Sequence, residues 1–224
     1  MTEIPESQVV EFRHYTLHPG KRDVLIELFD REFIEPQEAL GMRVMGQFRN
    51  LDDPDRFAWL RGFATMASRP RALQAFYGGP VWAAHRSVAN ATMVDSDDVL
   101  LLKPAWPGSG IRWSPGDRPA PGSTPLPRGI LHVTIVHLSQ PPDVQLVAFC
   151  HSHADASVLG WYVTEPAANN FPALPVREGV NVLVVFTLTD SEAPPPAIDG
   201  LERWQSRPPQ RFRLAPTARS AIHA

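Results

Sequence analysis

A tryptophan, a histidine and two arginines suggest a small site for acid–base chemistry. Trp82 lies three residues before His85 and four before Arg86, so a helix brings the three to one side. A histidine near its ordinary pKa can act as a general base. Arg86, or Arg61 earlier in the chain, can hold an enolate or another anionic oxygen, and Asn90 adds a hydrogen bond. The same pattern is equally typical of a helix whose polar face only fixes the following loop.

A second polar set falls on one face of a predicted strand at residues 9–17. Alternation places Glu11, Arg13 and Tyr15 together on that face, opposite a mainly apolar one. Buried polar side chains need partners or a wet cavity. This favours two interpretations: these residues bind a ligand, or Glu11 and Arg13 pair with each other or with neighbours.

The predicted strand at residues 56–64 poses a similar question. Arg61 shares a face with Trp59 and two phenylalanines, which together make an aromatic wall with one cation in it. Arg61 and Trp59 are candidates for ligand contact. A stacked or ion-paired arginine with a purely structural role is the alternative.

The segment 165–178 is predicted to be a long polar loop. Loops on rigid scaffolds often carry binding groups. Asn170, Arg177 and Glu178 are candidates for closing one mouth of a barrel-shaped cavity. An Arg–Glu pair that fixes a proline-rich loop explains the same residues.

The sequence predicts neither a metal site nor a bound cofactor. His151 and His153 are two residues apart on a predicted helix, where they do not share a face and make a poor chelate. There is no Rossmann glycine fingerprint and no Walker A motif. Nothing in the sequence marks a haem ligand.

Composition excludes several classes of function. The formal net charge is −3 without a run of Lys or Arg, which argues against nucleic-acid binding. The N-terminal residues are polar, unlike a signal peptide, and the apolar runs are too short to span a membrane. Cys150 is the single cysteine, so no disulfide can form within the chain. We expect a cytoplasmic protein that does not contact membranes.

The elements that must position these residues fall into two halves, 1–105 and 128–224. A linker at 106–127 separates them, and seven of the 24 prolines lie between 104 and 127. Trp106, Ile111 and Trp113 predict that this linker lies against the protein surface.

Hydrophobic periodicity predicts the order strand–helix–strand–strand–helix–strand in each half. In the first half, strands are predicted at 9–17, 42–48, 56–64 and 98–103, with helices at 21–40, 68–77 and 81–89. Gly41 is expected to cap the first helix, and Pro36 to kink it or to start a new turn. The second half has predicted strands at 129–138, 158–164, 180–189 and 211–215, with helices at 142–156 and 198–205.

This order predicts an α+β fold of two tandem ferredoxin-like (βαββαβ) halves. A four-stranded sheet with helices on one face leaves an apolar face that soluble proteins rarely expose. Two halves can cover it by packing their open faces together around a barrel-like space, and we expect the ligand there. Further pairing of chains into a homo-oligomer is left open.

Several stretches together resemble the NIPSNAP family of the dimeric α/β-barrel superfamily. In the first half they are residues 11–20 (EFRHYTLHPG), 57–63 (FAWLRGF), 76–86 (FYGGPVWAAHR), 90–93 and 95–102. In the second half they are 164–166 and 170–179. The resemblance covers nearly all of the first half and a patch of the second.

The resemblance implies a ferredoxin-like fold and barrel assembly. It implies little about chemistry, because relatives in the superfamily include cofactor-free quinol monooxygenases, lactone isomerases, haem enzymes and proteins without a known reaction. It transfers no catalytic residue to this chain. Two hypotheses follow: a cofactor-independent oxygenase, isomerase, dehydratase or cyclase acting on a small organic substrate, or a non-catalytic module that binds a ligand or another protein.

Overall fold

The computed structural model describes residues 6–112, 114–155 and 157–224. The predictions made for Trp113 in the linker and for Ala156 at the end of a helix fall outside the described residues.

The first half contains the predicted elements and one short additional strand. The strands are β1 (Val9–Leu17), β2 (Arg43–Asn50), β3 (Arg56–Phe63), β4 (Met93–Asp95) and β5 (Val99–Pro104). The helices are α1 (Arg22–Leu28), α2 (Ile34–Ala39), α3 (Arg69–Tyr77) and α4 (Pro80–Asn90). Gly41 ends the α2 segment with a φ of 84°, which confirms its role as a cap.

The second half keeps the strands but has less helix. It contains β6 (Ile130–His137), α5 (Val144–Ser152), β7 (Val158–Thr164), β8 (Val182–Thr189) and β9 (Gln210–Pro216). The helix predicted at 198–205 is a single 3-10 turn, Leu201–Trp204. Three prolines at 194–196 and Gly200, with a φ of 87°, leave too few residues there for an α-helix.

Eight of the described strands close into one barrel, in the order β3-β2-β9-β6-β8-β7-β5-β1, with β1 pairing back to β3. Each half supplies four neighbouring strands in the order second, third, first, fourth. The halves join where β2 pairs with β9 and where β5 pairs with β7. The fold is therefore the predicted α+β barrel made of two ferredoxin-like halves.

Apolar side chains from both halves fill the interior of the barrel. Phe12 of β1 meets Phe186 of β8 edge to face at 5.8 Å, and Tyr162 of β7 packs on the same ring. A cavity beside the inward-facing Phe12 and His14 measures about 10 Å³, no more than a single water needs. The ligand space expected between the two sheets is thus occupied by side chains.

The helices cover the outer faces of the sheet and form two further apolar layers. α1 to α4 pack on the first half, and α5 packs on the second. A π-helical turn, Phe29–Phe33, separates α1 from α2, so the helix predicted at 21–40 is interrupted upstream of Pro36. The wider turn directs both Phe29 and Phe33 into the core, against Trp59 at 4.8 Å and Phe76 at 5.8 Å.

The linker lies against the barrel, as predicted. Ile111 is buried in the interior core, and its N–H donates to the Tyr162 hydroxyl at 2.8 Å. Trp106 packs beside Trp161 at 6.0 Å between ring centres. No helix in the described parts of the chain has the length and apolar character needed to cross a membrane.

Candidate functional site

A cavity of about 280 Å³ lies on the outer face of the first half. We call it the outer pocket. Its floor comes from β1, its walls from α3, α4 and the segment around β4, and its rim from the loop that follows β7. The residues that line it are Arg13, Tyr15, Tyr77, Trp82, Asn90, Met93, Ser96, Phe171, Ala173 and Leu174.

Arg13 and Tyr15 form the polar floor because alternation along β1 turns both towards the helices, while Phe12 and His14 point into the barrel. The Arg13 guanidinium is 1% exposed. Its Nε donates to the Tyr15 hydroxyl oxygen at 2.8 Å, and its Nη1 donates to Glu11 at 2.8 Å. The remaining nitrogen, Nη2, has a long bond of 3.4 Å to the carbonyl of Ser96.

Below this floor, the carboxylate of Glu11 binds three guanidinium groups, those of Arg13, Arg61 and Arg69. We call these four residues the arginine cluster. Arg61 reaches Glu11 at 2.6 Å and Arg69 reaches it at 2.8 Å. All four side chains are at most 1% exposed. Their mutual bonds confirm the interpretation of Glu11 and Arg13 as a buried pair.

Neutral groups complete the arginine cluster. Gln37 accepts from Arg61 at 2.9 Å, and the Tyr77 hydroxyl lies 3.3 Å from the same Nη1. Asn169 and Asn170, from the second half, each accept from Arg69 Nη1 at 2.9 Å. The loop that forms the rim of the outer pocket is therefore anchored to a buried cation of the first half.

Burial and ion pairing shift the pKa values in opposite directions. Burial disfavours the Glu11 carboxylate, but Arg61, Arg13 and Arg69 outweigh it and hold the pKa of Glu11 far below its usual range. Burial likewise opposes charge on Arg13, but the hydrogen bond that Tyr15 accepts and the charge of Glu11 outweigh it and raise the pKa of Arg13. Burial raises the pKa of Tyr15, so it stays a neutral hydroxyl at pH 7.

The walls of the outer pocket are aromatic. The Tyr77 and Trp82 rings meet edge to face at 4.9 Å, and Trp82 also packs on Phe33 at 5.7 Å. Phe171 and Leu174 close the side that faces the second half. The site therefore combines a cationic floor with apolar walls.

The structure brings together four of the predicted site residues: Arg13, Tyr15, Trp82 and Asn90 all line the outer pocket. Trp59 lies beneath them, with the Arg61 guanidinium 4.9 Å and the Arg13 guanidinium 5.6 Å from its ring centre. Its role there is to pack against the cations.

The three residues predicted to be catalytic do not lie together. His85 lies 3.5 Å from Glu32 at the protein surface, Arg86 is exposed, and Arg61 is buried in the arginine cluster. Trp82 and His85 lie on the same side of α4, where both rings contact Phe33. Of these two, Trp82 alone lines the outer pocket.

The three predicted loop residues do not share one site. Arg177 lies at one mouth of the barrel, 3.5 Å from Asp98. Glu178 lies exposed beside a groove that Arg177 also lines. Asn170 lies apart from both, where it binds Arg69 and donates to the Met66 carbonyl at 2.7 Å. The expectation that all three close one barrel mouth holds in position for Arg177 alone.

The sequence argument missed Tyr77, Ser96, Phe171 and Arg69. Tyr77 is the last residue of the helix predicted at 68–77, and Phe171 lies in the polar loop predicted at 165–178. Arg69, in the first turn of α3, had no partner within the same element that could have marked it.

Two larger cavities flank α5 in the second half. One measures about 610 Å³ and lies between β8, the 3-10 turn and the residues that follow α5. The other measures about 870 Å³ and lies between α5 and the start of the linker. Within the described residues, no three His, Cys, Asp or Glu side chains group as a metal site. Burial raises the pKa of Cys150 to about 12, so this thiol is inert at neutral pH.

Comparison with known proteins gives a family for the first half and a fold for the whole chain. Residues 10–106 match the model of the NIPSNAP family. No curated protein matches the sequence.

Three solved structures cover nearly the entire chain. A monooxygenase candidate from Fusobacterium nucleatum is 8% identical, with a TM-score of 0.59, over 97% of this chain and 94% of that one. A monooxygenase candidate from Lactobacillus acidophilus is 9% identical, with a TM-score of 0.54, over 94% of both chains. An anthrone oxidase-like protein is 12% identical, with a TM-score of 0.53, over 98% of this chain and 97% of that one. At these identities the likeness shows the shared fold.

Proposed function

Residues 10–106 match the NIPSNAP family model, and their sheet continues into the second half. We propose that the outer pocket of this first half binds a small organic molecule. One observation carries the proposal: the buried guanidinium of Arg13 and the hydroxyl of Tyr15 form the floor of a cavity with aromatic walls. Ligand sites typically combine apolar walls with a few convergent polar groups. A volume of about 280 Å³ suits a compact ring system.

Loop anchoring supports the same assignment. The rim residues Phe171 and Leu174 belong to the second half, and Asn169 and Asn170 fix their loop to Arg69. A wall held by buried bonds is in place before a ligand arrives, which lowers the entropic cost of binding.

The binding proposal is tested with two matched tryptophan substitutions. Ala173 is exposed and lines the outer pocket, so Ala173→Trp should fill the cavity without disturbing the core. Ala84 is exposed on α4 and lines none of the cavities described above, so Ala84→Trp is the control. Ligand-observed NMR with a set of naphthalene and anthracene derivatives should find binders to the wild type. Ala173→Trp should lower the affinity for these binders at least tenfold, and Ala84→Trp should lower it less than twofold. Undiminished binding to Ala173→Trp would contradict the proposal.

Catalysis without a cofactor is the second candidate, and the pairing of Arg13 with Tyr15 favours it. A guanidinium and a neutral hydroxyl on one floor can stabilise an enolate or phenolate oxygen. The outer pocket has no carboxylate or imidazole among its lining residues, so it suits substrates that ionise readily. The two monooxygenase candidates and the anthrone oxidase-like protein described above share this fold. Isomerisation, dehydration and cyclisation through an enolate need the same oxyanion contact.

Anthrone provides a balanced test reaction. Its CH₂ group becomes C=O, one oxygen atom of O₂ enters the product, and the other leaves as water with both hydrogens. The substrate supplies all four electrons, so no external reductant is needed. We expect oxygen uptake with anthrone in the wild type, with kcat at least tenfold lower in Tyr15→Phe and KM little changed. Uptake that is absent from the wild type, or unchanged in the variant, would contradict catalysis of this kind.

A further inference from the structure

The arginine cluster carries more positive charge than the protein itself balances. Arg13, Arg61 and Arg69 all pair with the one carboxylate of Glu11. In the described part of the chain, no second carboxylate forms an ion pair with any of the three. Three guanidinium groups and one carboxylate leave a formal charge of +2 with at most 1% of any side chain exposed.

This excess cannot be removed by proton loss. Arginine stays protonated in proteins, and uncompensated buried charge is costly. Burial lowers the pKa of Arg69 from its ordinary value, as expected for a cation that the surroundings only partly compensate. Its Nη2 is buried and has no hydrogen-bond partner among the described residues. The other contacts of the cluster are neutral amides, hydroxyls and a backbone carbonyl.

Of the three arginines, Arg13 is the one that faces a space open to a ligand. This residue lines the outer pocket, whereas Arg61 and Arg69 do not. Its Nε and Nη1 have bonds of 2.8 Å, but its Nη2 has only the 3.4 Å contact with the Ser96 carbonyl. An oxygen atom placed in the outer pocket would give that nitrogen a short, charge-assisted bond. The Tyr15 hydroxyl, which accepts from Arg13, keeps its own proton available for the same oxygen.

We propose that the ligand of the outer pocket is an organic anion, a carboxylate or an ionised enol or phenol on a flat apolar ring. The inference rests on the proposed binding function and adds to it the charge of the ligand. The oxygen binds Arg13 and Tyr15, and the ring packs between Trp82 and Phe171. The anion supplies part of the negative charge that the arginine cluster lacks.

The test uses two probes of nearly equal shape, 1-naphthoate and 1-naphthamide, titrated calorimetrically into the wild type at pH 7.5. Hydrogen bonds to a charged group are worth more than neutral ones, so 1-naphthoate should bind at least about tenfold more tightly. In Arg13→Gln, Glu11 retains Arg61 and Arg69, so the fold should persist. The affinity of this variant for 1-naphthoate should be at least about tenfold lower than that of the wild type. Its affinity for 1-naphthamide should fall by less than about twofold.

The outcomes separate the two proposals. If 1-naphthamide binds as tightly as 1-naphthoate and Ala173→Trp blocks both, the outer pocket is a binding site but its ligand is not selected by charge. If 1-naphthoate binds equally to Ala173→Trp, or if neither probe binds the wild type, the binding proposal fails together with the inference about charge.

Discussion

Glu11 is the residue on which the interior of the first half depends. Its two oxygens bind three guanidinium groups in a region without solvent. Glu11→Gln keeps the shape but removes the negative charge, so three cations are left facing one another. We predict a loss of about 3–5 kcal/mol in the free energy of unfolding, measured by urea denaturation at pH 7.

Glu27→Gln is the control, because Glu27 is 77% exposed and pairs with Arg31 on the surface. Such pairs contribute little to stability. The control should unfold at the wild-type urea concentration. An equally small effect of Glu11→Gln would show that the arginine cluster does not depend on this carboxylate.

For individual residues, the sequence shows which side chains share a strand face but not which part of the protein that face packs against. Both faces of β1 are buried, so alternation alone leaves open whether Glu11, Arg13 and Tyr15 point into the barrel or under the helices. Their polarity predicted either contact with a ligand between the sheets or pairing with neighbouring side chains. They lie instead under α3 and α4, where polar partners arrive from Gln37 and from the second half.

Among the elements, the π-helical turn that follows α1 creates a pH-sensitive contact. Burial raises the pKa of Asp30 in this turn to about 6, against the opposing effects of the Thr217 hydroxyl and Arg219. The folded protein therefore holds a proton on Asp30 more tightly than the unfolded chain does. The resulting cost to stability appears as pH rises from about 4 and is complete above about 6.

Asp30→Asn removes this titration while keeping an oxygen for the Thr217 hydroxyl, which donates to Asp30 at 3.2 Å. We predict that the variant is more stable than the wild type by about 1–3 kcal/mol at pH 8, and that this advantage disappears at pH 4. Urea denaturation at both pH values measures it, with the exposed Asp23→Asn as control. A variant less stable than the wild type at pH 8 would contradict the assignment.

The loop after β7 shows why element order alone does not locate the site. Its composition singled it out, but its destination depends on the pairing of β5 with β7, in which Leu102 lies opposite Thr164. That register carries Phe171 and Leu174 to the helices of the other half. No local pattern in the sequence encodes a pairing between two halves separated by a linker.

For the whole molecule, hydrophobic periodicity and the need to cover two open sheet faces were enough to predict the barrel. The contents of its interior were not predictable in the same way, because filling depends on the sizes of side chains from eight strands at once. Phe12, Tyr162 and Phe186 are among the buried side chains that fill it. The outer faces do have cavities, among them the outer pocket and the two cavities around α5.

Three exposed alanines allow these cavities to be compared directly. Ala173 lines the outer pocket, Ala148 lines the 870 Å³ cavity and Ala197 lines the 610 Å³ cavity. Each is replaced by tryptophan in turn, and 1-naphthoate is titrated calorimetrically into each variant. We predict that Ala173→Trp weakens binding at least tenfold, while Ala148→Trp and Ala197→Trp bind like the wild type. Wild-type affinity in Ala173→Trp, with binding lost in either of the other two variants, would place the site in the second half and contradict its assignment to the outer pocket.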